Sequence, residues 1–120
     1  KQMRPPKGKH HDLEALFEDL NFRYFYGLMA CPALGWSVRE SRSILGHYDP
    51  AHHAIVLSSA LDKPSVPRLA VEYVLFHEML HLRHPESHNG ERRCVHTRAF
   101  REAEKLFDGL DVAKMILRRL

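Results

Sequence analysis

The stretch VLFHEMLHLRH, Val74 to His84, sets three histidines and a glutamate inside an otherwise oily run. It belongs to a longer segment from Arg68 that is apolar nearly all round and stops before Pro85, which predicts a largely buried helix over Arg68–His84. Ser65, Pro67 and the preceding Lys63-Pro64 mark where it starts. In a helix, residues four apart differ by roughly 40° and about 6 Å of rise, so His77 and His81 stand one above the other on one face. One metal ion can touch both at the roughly 2.0–2.1 Å that imidazole ligation needs. Glu78 falls about 100° further round, beside the ligands, where it can hold a water and take its proton. Burying two histidines and a glutamate together costs several kcal/mol unless they are paired or metallated, and a metal ion removes that cost.

Two histidines on one helix need a third ligand to make a catalytic zinc site. His84 shares the helix face but stands about 10.5 Å along the axis from His77, too far for one tetrahedral site, and reads as a wall or supporting group. His88 is one place late for the metzincin spacing, which also requires glycine where His84 stands. His96 is the better placed. It opens a third helix, expected over Val95–Asp108, with Phe100, Ala103 and Phe107 on its own face, so packing that face on the HEMLH helix turns His96 toward the metal. A carboxylate in that role would be Glu102, which lies off this face, or Glu104, which is nearer but about two turns deeper.

Upstream, Asp12 caps a helix in which Leu13, Leu16, Phe17, Leu20 and Tyr24 recur at three- and four-residue steps, ending near Gly27. Leu34–Val38, Ser43–Tyr48 and Ala54–Ser58 read as extended, and the Asp49-Pro50 turn joins the last two into a hairpin. The run Ala54–Ser58 is expected to border the cleft and to offer a bare edge to an extended polypeptide. Trp36 reads as a core anchor, Pro85–Arg93 as loop, and Ala99, Ala103, Leu106 and Leu110 as one side of the third helix, ended by Gly109. The class is α+β: a small domain with an N-terminal helix, a short three-stranded, mainly antiparallel sheet, the HExxH helix and a ligand-bearing C-terminal helix. Residues 1–11 are expected as a flexible basic arm, 12–110 as the domain, and 111–120 as a short basic amphipathic tail.

A chain of 120 residues is long enough for one core and too short for two ordinary domains. Its 44% hydrophobic and 28% charged residues are globular proportions, not those of disorder. No apolar run approaches the roughly 18–20 residues that span a bilayer and no stretch is ordered like a signal peptide, so a cytoplasmic or nuclear, nucleoid-associated setting is expected. The chain begins with Lys1 and not methionine, as a piece of a longer protein would. Cys31 and Cys94 form no CxxC pair, which leaves histidine and carboxylate to hold any metal. The net charge of +3 and the basic groups Arg4/Lys7/Lys9, Arg39/Arg42, Arg92/Arg93/Arg98 and Arg118/Arg119 permit nucleic-acid contact without demanding it.

Five segments in order resemble the SprT-like zinc metallopeptidases, a family that includes the eukaryotic DNA–protein crosslink proteases. LNFRYFYG (Leu20–Gly27) is similar to the family's first helix, LGWSVRESRSILGHYDP (Leu34–Pro50) to its strands and IVLSSAL (Ile55–Leu61) to its edge segment. FHEMLHL (Phe76–Leu82) is similar to the active helix and HTRAF (His96–Phe100) to the third-ligand segment. The resemblance implies a zincin-like catalytic core in which His77, His81 and His96 bind one Zn2+. It implies hydrolysis of polypeptide through a zinc-activated water, with Glu78 as general base. The cysteine zinc ribbon and DNA-binding elements of longer members have no counterpart here, so DNA dependence does not carry over. In size the chain is similar to the minigluzincins, which use a glutamate as third ligand. The alternative is a zinc-stabilised module that binds nucleic acid or protein without catalysis; a metal-dependent hydrolase of RNA is a third reading, which Glu78 and the off-register His88 disfavour.

Overall fold

In the computed structural model, which describes residues 2–85, 87–89, 92–94 and 96–120 and the side chains outside 86–95, Asp12 begins the first helix as its type predicts. Its carboxylate accepts the Glu14 N–H at 3.0 Å, and α1 (Leu13–Phe25) runs until Tyr26 turns left-handed. Leu13, Leu16, Phe17 and Leu20 are buried, as their spacing requires. The buried Asn21 then closes the exit loop by accepting from Met29 N at 3.0 Å and donating to Met29 O at 2.9 Å.

Three short strands follow: β1 (Ala33–Trp36), β2 (Gly46–Asp49) and β3 (Ala54–Leu57), in the order β1-β3-β2. β2 and β3 form the expected antiparallel pair, with Gly46 opposite Leu57 and Asp49 opposite Ala54. β1, however, lies parallel to β3, so the sheet is mixed and not mainly antiparallel. The parallel pairing arises because the chain crosses from Trp36 back to the start of the hairpin before forming β2. β3 is therefore central, which corrects the expectation that Ala54–Ser58 supplies the free edge. That edge belongs to β2, whose outer side has no strand partner among the described residues.

The opposite edge is occupied. Arg4 exchanges two backbone hydrogen bonds with Trp36 (2.7 and 3.0 Å), and the Trp36 indole donates to Pro6 O at 3.0 Å. The Asp62 carboxylate accepts the N–H groups of Lys9, His10 and His11 at 2.8–3.0 Å. These bonds hold its carboxyl below the usual range against the opposing effect of burial. The segment expected as a flexible arm thus lies along β1, where Gly35 leaves room for Arg4 O and the Met3 side chain.

The central helix α2 (Arg68–Arg83) covers the sheet and packs against α1. Val71, Leu75, Phe76, Met79 and Leu80 are buried in its middle. It ends at Arg83 because His84, which precedes Pro85, takes φ −120°, ψ 83° outside the helical region. Where the sequence predicts loop over 85–93, the described backbone forms an antiparallel pair of β4 (Ser87–Asn89) and β5 (Arg92–Cys94). The expectations for the side chains of His88, Arg92, Arg93 and Cys94 lie outside the described residues. The third helix is shorter than predicted: α3 covers Arg98–Glu104, capped by Thr97, whose hydroxyl accepts from Phe100 N at 3.2 Å. Its buried face is Phe100, continued by Phe107 in the turn beyond, while Leu106 is 73% exposed. Gly109 (φ 86°) separates it from α4 (Leu110–Arg118), which packs against α2 with Ala113 fully buried. No described helix is long and apolar enough to cross a membrane.

Candidate metal centre

His77 and His81 lie on the same face of α2, and the start of α3 brings His96 up to them. Their ring centroids form a near-equilateral triangle of 5.0, 5.0 and 5.2 Å. One ligand nitrogen from each lies within 4.8 Å of the others. The Nε2 atoms of His81 and His96 are 3.3 Å apart. Two ligands of a tetrahedral ion at roughly 2.0–2.1 Å lie about 3.3–3.4 Å from each other, so the spacing suits a zinc ion between them. His84 is not part of this group: it is the residue after α2 and lines a separate depression beside Arg83 and Tyr26.

Phe100 holds the triangle. Its ring, 1% exposed, lies 5.1, 4.6 and 4.8 Å from those of His77, His81 and His96. The backbone beside it is fixed by Thr97 and by Arg101, whose guanidinium donates to His96 O at 2.8 Å.

Behind His77 sits Glu104. His77 Nδ1 donates to Glu104 Oε2 at 2.6 Å, and the same oxygen accepts the Tyr73 hydroxyl at 2.8 Å. With Nδ1 carrying its proton, Nε2 of His77 is free to ligate. Glu104 is thus placed to orient His77. The hydrogen bond from His77, reinforced by Tyr73 and opposed by burial, holds its carboxyl below the usual range. Burial and the bond to Glu104 push the Tyr73 hydroxyl upward; Tyr48 lines the cleft.

The surroundings of His81 and His96 disfavour their protonated forms. Burial, with the charges of His77 and His96, lowers His81 to about 4, and burial with His77 lowers His96. Ligands must be deprotonated to bind metal, so the chemistry of the donor set fits the ion.

Glu78 is 6% exposed and has no hydrogen-bond partner among the described residues. Burial pushes its carboxyl up to about 7, opposed by His77. It fits under β2 because Gly46 has no side chain: a Cβ there would stand 2.9 Å from Glu78 Oε2 and 2.9 Å from Val74 Cγ1. Together Glu78, the three histidines, His47, Tyr48 and Leu82 line a cleft of about 500 Å3 beneath the β2 edge.

His77, Glu78, His81 and His96, all expected from sequence, therefore converge. Sequence reading missed the parts played by Glu104, Phe100 and Gly46. A signal for the first was present: Tyr73 and His77 are four apart, so an acid two turns along the facing helix meets both. The chain matches no protein-family model and no curated protein. The resemblance to SprT-like enzymes rests on the motifs themselves.

Proposed function

We propose that this chain is a zinc-dependent metallopeptidase that hydrolyses peptide bonds. The observation that supports it most is the convergence of three histidines and a buried glutamate on one cleft, under a strand edge that has no strand partner among the described residues. His77, His81 and His96 hold the ion, and three protein ligands leave a position open, the pattern of catalytic and not structural zinc. Zinc supplies a Lewis acid at the carbonyl and lowers the pKa of water to about 7. Glu78 accepts the proton of the attacking water and returns it to the departing amine. The β2 edge supplies backbone hydrogen bonds to an extended substrate, which gives affinity with little dependence on side chains. Glu104 and Tyr73 keep His77 in the ligating tautomer.

Two variants test the supports. Gly46→Ala, by crowding Glu78 Oε2, is expected to lower turnover of a quenched fluorescent peptide while leaving one zinc bound; unchanged turnover would mean that Glu78 need not occupy this position. Glu104→Gln is expected to weaken zinc binding by about 10- to 100-fold in chelator competition, the usual cost of losing a hydrogen-bonded carboxylate behind a ligand. Equal affinity in wild type and variant would remove Glu104 from the centre.

A second reading, binding of nucleic acid without catalysis, draws on a separate cleft of about 460 Å3 lined by Arg4, Lys7, Lys9, His10 and Lys63 together with Glu40 and Asp62. It requires salt-sensitive binding that is indifferent to Glu78, because phosphate contacts would carry the affinity.

A further inference from the structure

The depression beside Arg83 and Tyr26 shares no lining residue with the metal cleft. It holds about 180 Å3. A protein cavity of roughly 150 Å3 takes up benzene, so there is room for one bulky side chain. Its floor is made by the buried Phe25, Phe76 and Leu80, and Tyr26 and Leu106 stand at its rim. Of the described residues that line it, Arg83 alone carries a permanent charge.

The rim is built at a cost to folding. Tyr26 takes φ 56°, ψ 24°, the left-handed region that suits glycine and that bulky residues rarely adopt. The bond from its N–H to Asn21 O needs no side chain, and the ring is 89% exposed, so the fold gains little from a tyrosine here. Leu106 is exposed across the depression, as are Phe22 and Leu28 on either side of Tyr26 in the chain. Large apolar side chains left together outside a core mark an interaction site.

We propose that this depression docks a partner polypeptide, taking one leucine, methionine or phenylalanine side chain from a segment with a carboxylate beside that residue, which pairs with Arg83. The proposal is independent of the peptidase reading. Arg83 sets the charge of the partner: an aspartate or glutamate next to the anchor finds a guanidinium, whereas a lysine meets a like charge. A second copy of this chain fits less well. At the rim Phe22 is followed by Arg23 and Leu106 is preceded by Lys105, so its own exposed anchors bring cations to Arg83.

The test uses the zinc-loaded full chain carrying Glu78→Gln, which keeps the probes intact. The probes are short fluorescein-labelled peptides identical except at the centre: phenylalanine between glutamates, alanine between glutamates, or phenylalanine between lysines. By anisotropy the first is expected to bind at least about 10-fold more tightly than either of the others. Adding Arg83→Glu is expected to reverse the preference between glutamate and lysine flanks. Adding Tyr26→Gly is expected to abolish the preference for phenylalanine, leave zinc content unchanged and raise the melting temperature by a few degrees, because glycine relieves the left-handed backbone. Equal binding of the three probes, or binding of none, overturns the proposal. So does a preference that survives both added changes, since the probe then sits elsewhere. A lower melting temperature for Tyr26→Gly also overturns it, because the ring then serves the fold. Self-association in sedimentation that Tyr26→Gly removes, without a preference among the probes, assigns the depression to a second copy and overturns it as well.

Discussion

Replacing Glu78 with glutamine is expected to lower peptide hydrolysis by about 10²- to 10⁴-fold, the range that a positioned general base contributes, with zinc content unchanged. Glutamine keeps the shape of the side chain and cannot accept the proton. The same change is expected to stabilise the metal-free protein above neutral pH. Glu78 has its carboxyl raised by burial from 4.5 to about 7, so the folded state holds its proton where the unfolded chain has lost it. Ionised Glu78 then costs stability, increasingly from pH 4.5 to 7 and fully above 7, whereas below 4.5 both states are protonated and the cost vanishes. From the shift, the gain on substitution approaches about 3 kcal/mol at alkaline pH, and it disappears under acid conditions. Denaturant titrations of chelator-treated wild type and Glu78→Gln at pH 4 and pH 8 check the sign. A variant that loses activity and gains stability identifies a group held at a folding cost for its chemistry. Lower stability of Glu78→Gln at pH 8 would show instead that the carboxylate is a structural partner.

The sequence makes most of this site visible because a helix has a fixed period. Once Arg68–His84 is read as helix, the stacking of His77 over His81 and the offset of Glu78 follow from rotation per residue alone. Asp12 and Pro85 bound their helices for equally local reasons, a side-chain cap and a disfavoured backbone. What stays hidden depends on contacts between segments far apart in the chain. Nothing local makes β1 parallel to β3, since the strand period is the same in either direction, and so the sequence points to Ala54–Ser58 as the edge, whereas among the described residues it is Gly46–Asp49. Gly46 falls inside the run Ser43–Tyr48 that reads as extended; its part is to admit Glu78 from another element. Leu106 fits the spacing of a buried stripe but is exposed, because α3 stops at Glu104 and the turn after it buries Phe107.

His96→Ala is expected to weaken zinc binding by more than the roughly 10- to 100-fold that loss of a supporting group costs, since it removes a ligand outright. Protein purified without added chelator or metal should carry about one zinc per wild-type chain and far less per variant chain. The expected melting behaviour discriminates further. Zinc binds the folded centre, so it raises the melting temperature of wild type in proportion to the logarithm of its concentration over Kd. His96 itself is exposed and lies before α3, with Phe100 and not His96 filling the space between α2 and α3. Truncation to alanine therefore creates no core cavity, and the metal-free melting temperatures of wild type and variant should nearly coincide. The variant should then lose only the zinc-dependent increment. If it keeps its zinc, the 3.3 Å approach of His81 and His96 is an ordinary side-chain contact, and His77 and His81 find their third ligand elsewhere. If it melts much lower in the metal-free state, His96 supports the fold around Phe100 whether or not an ion is present.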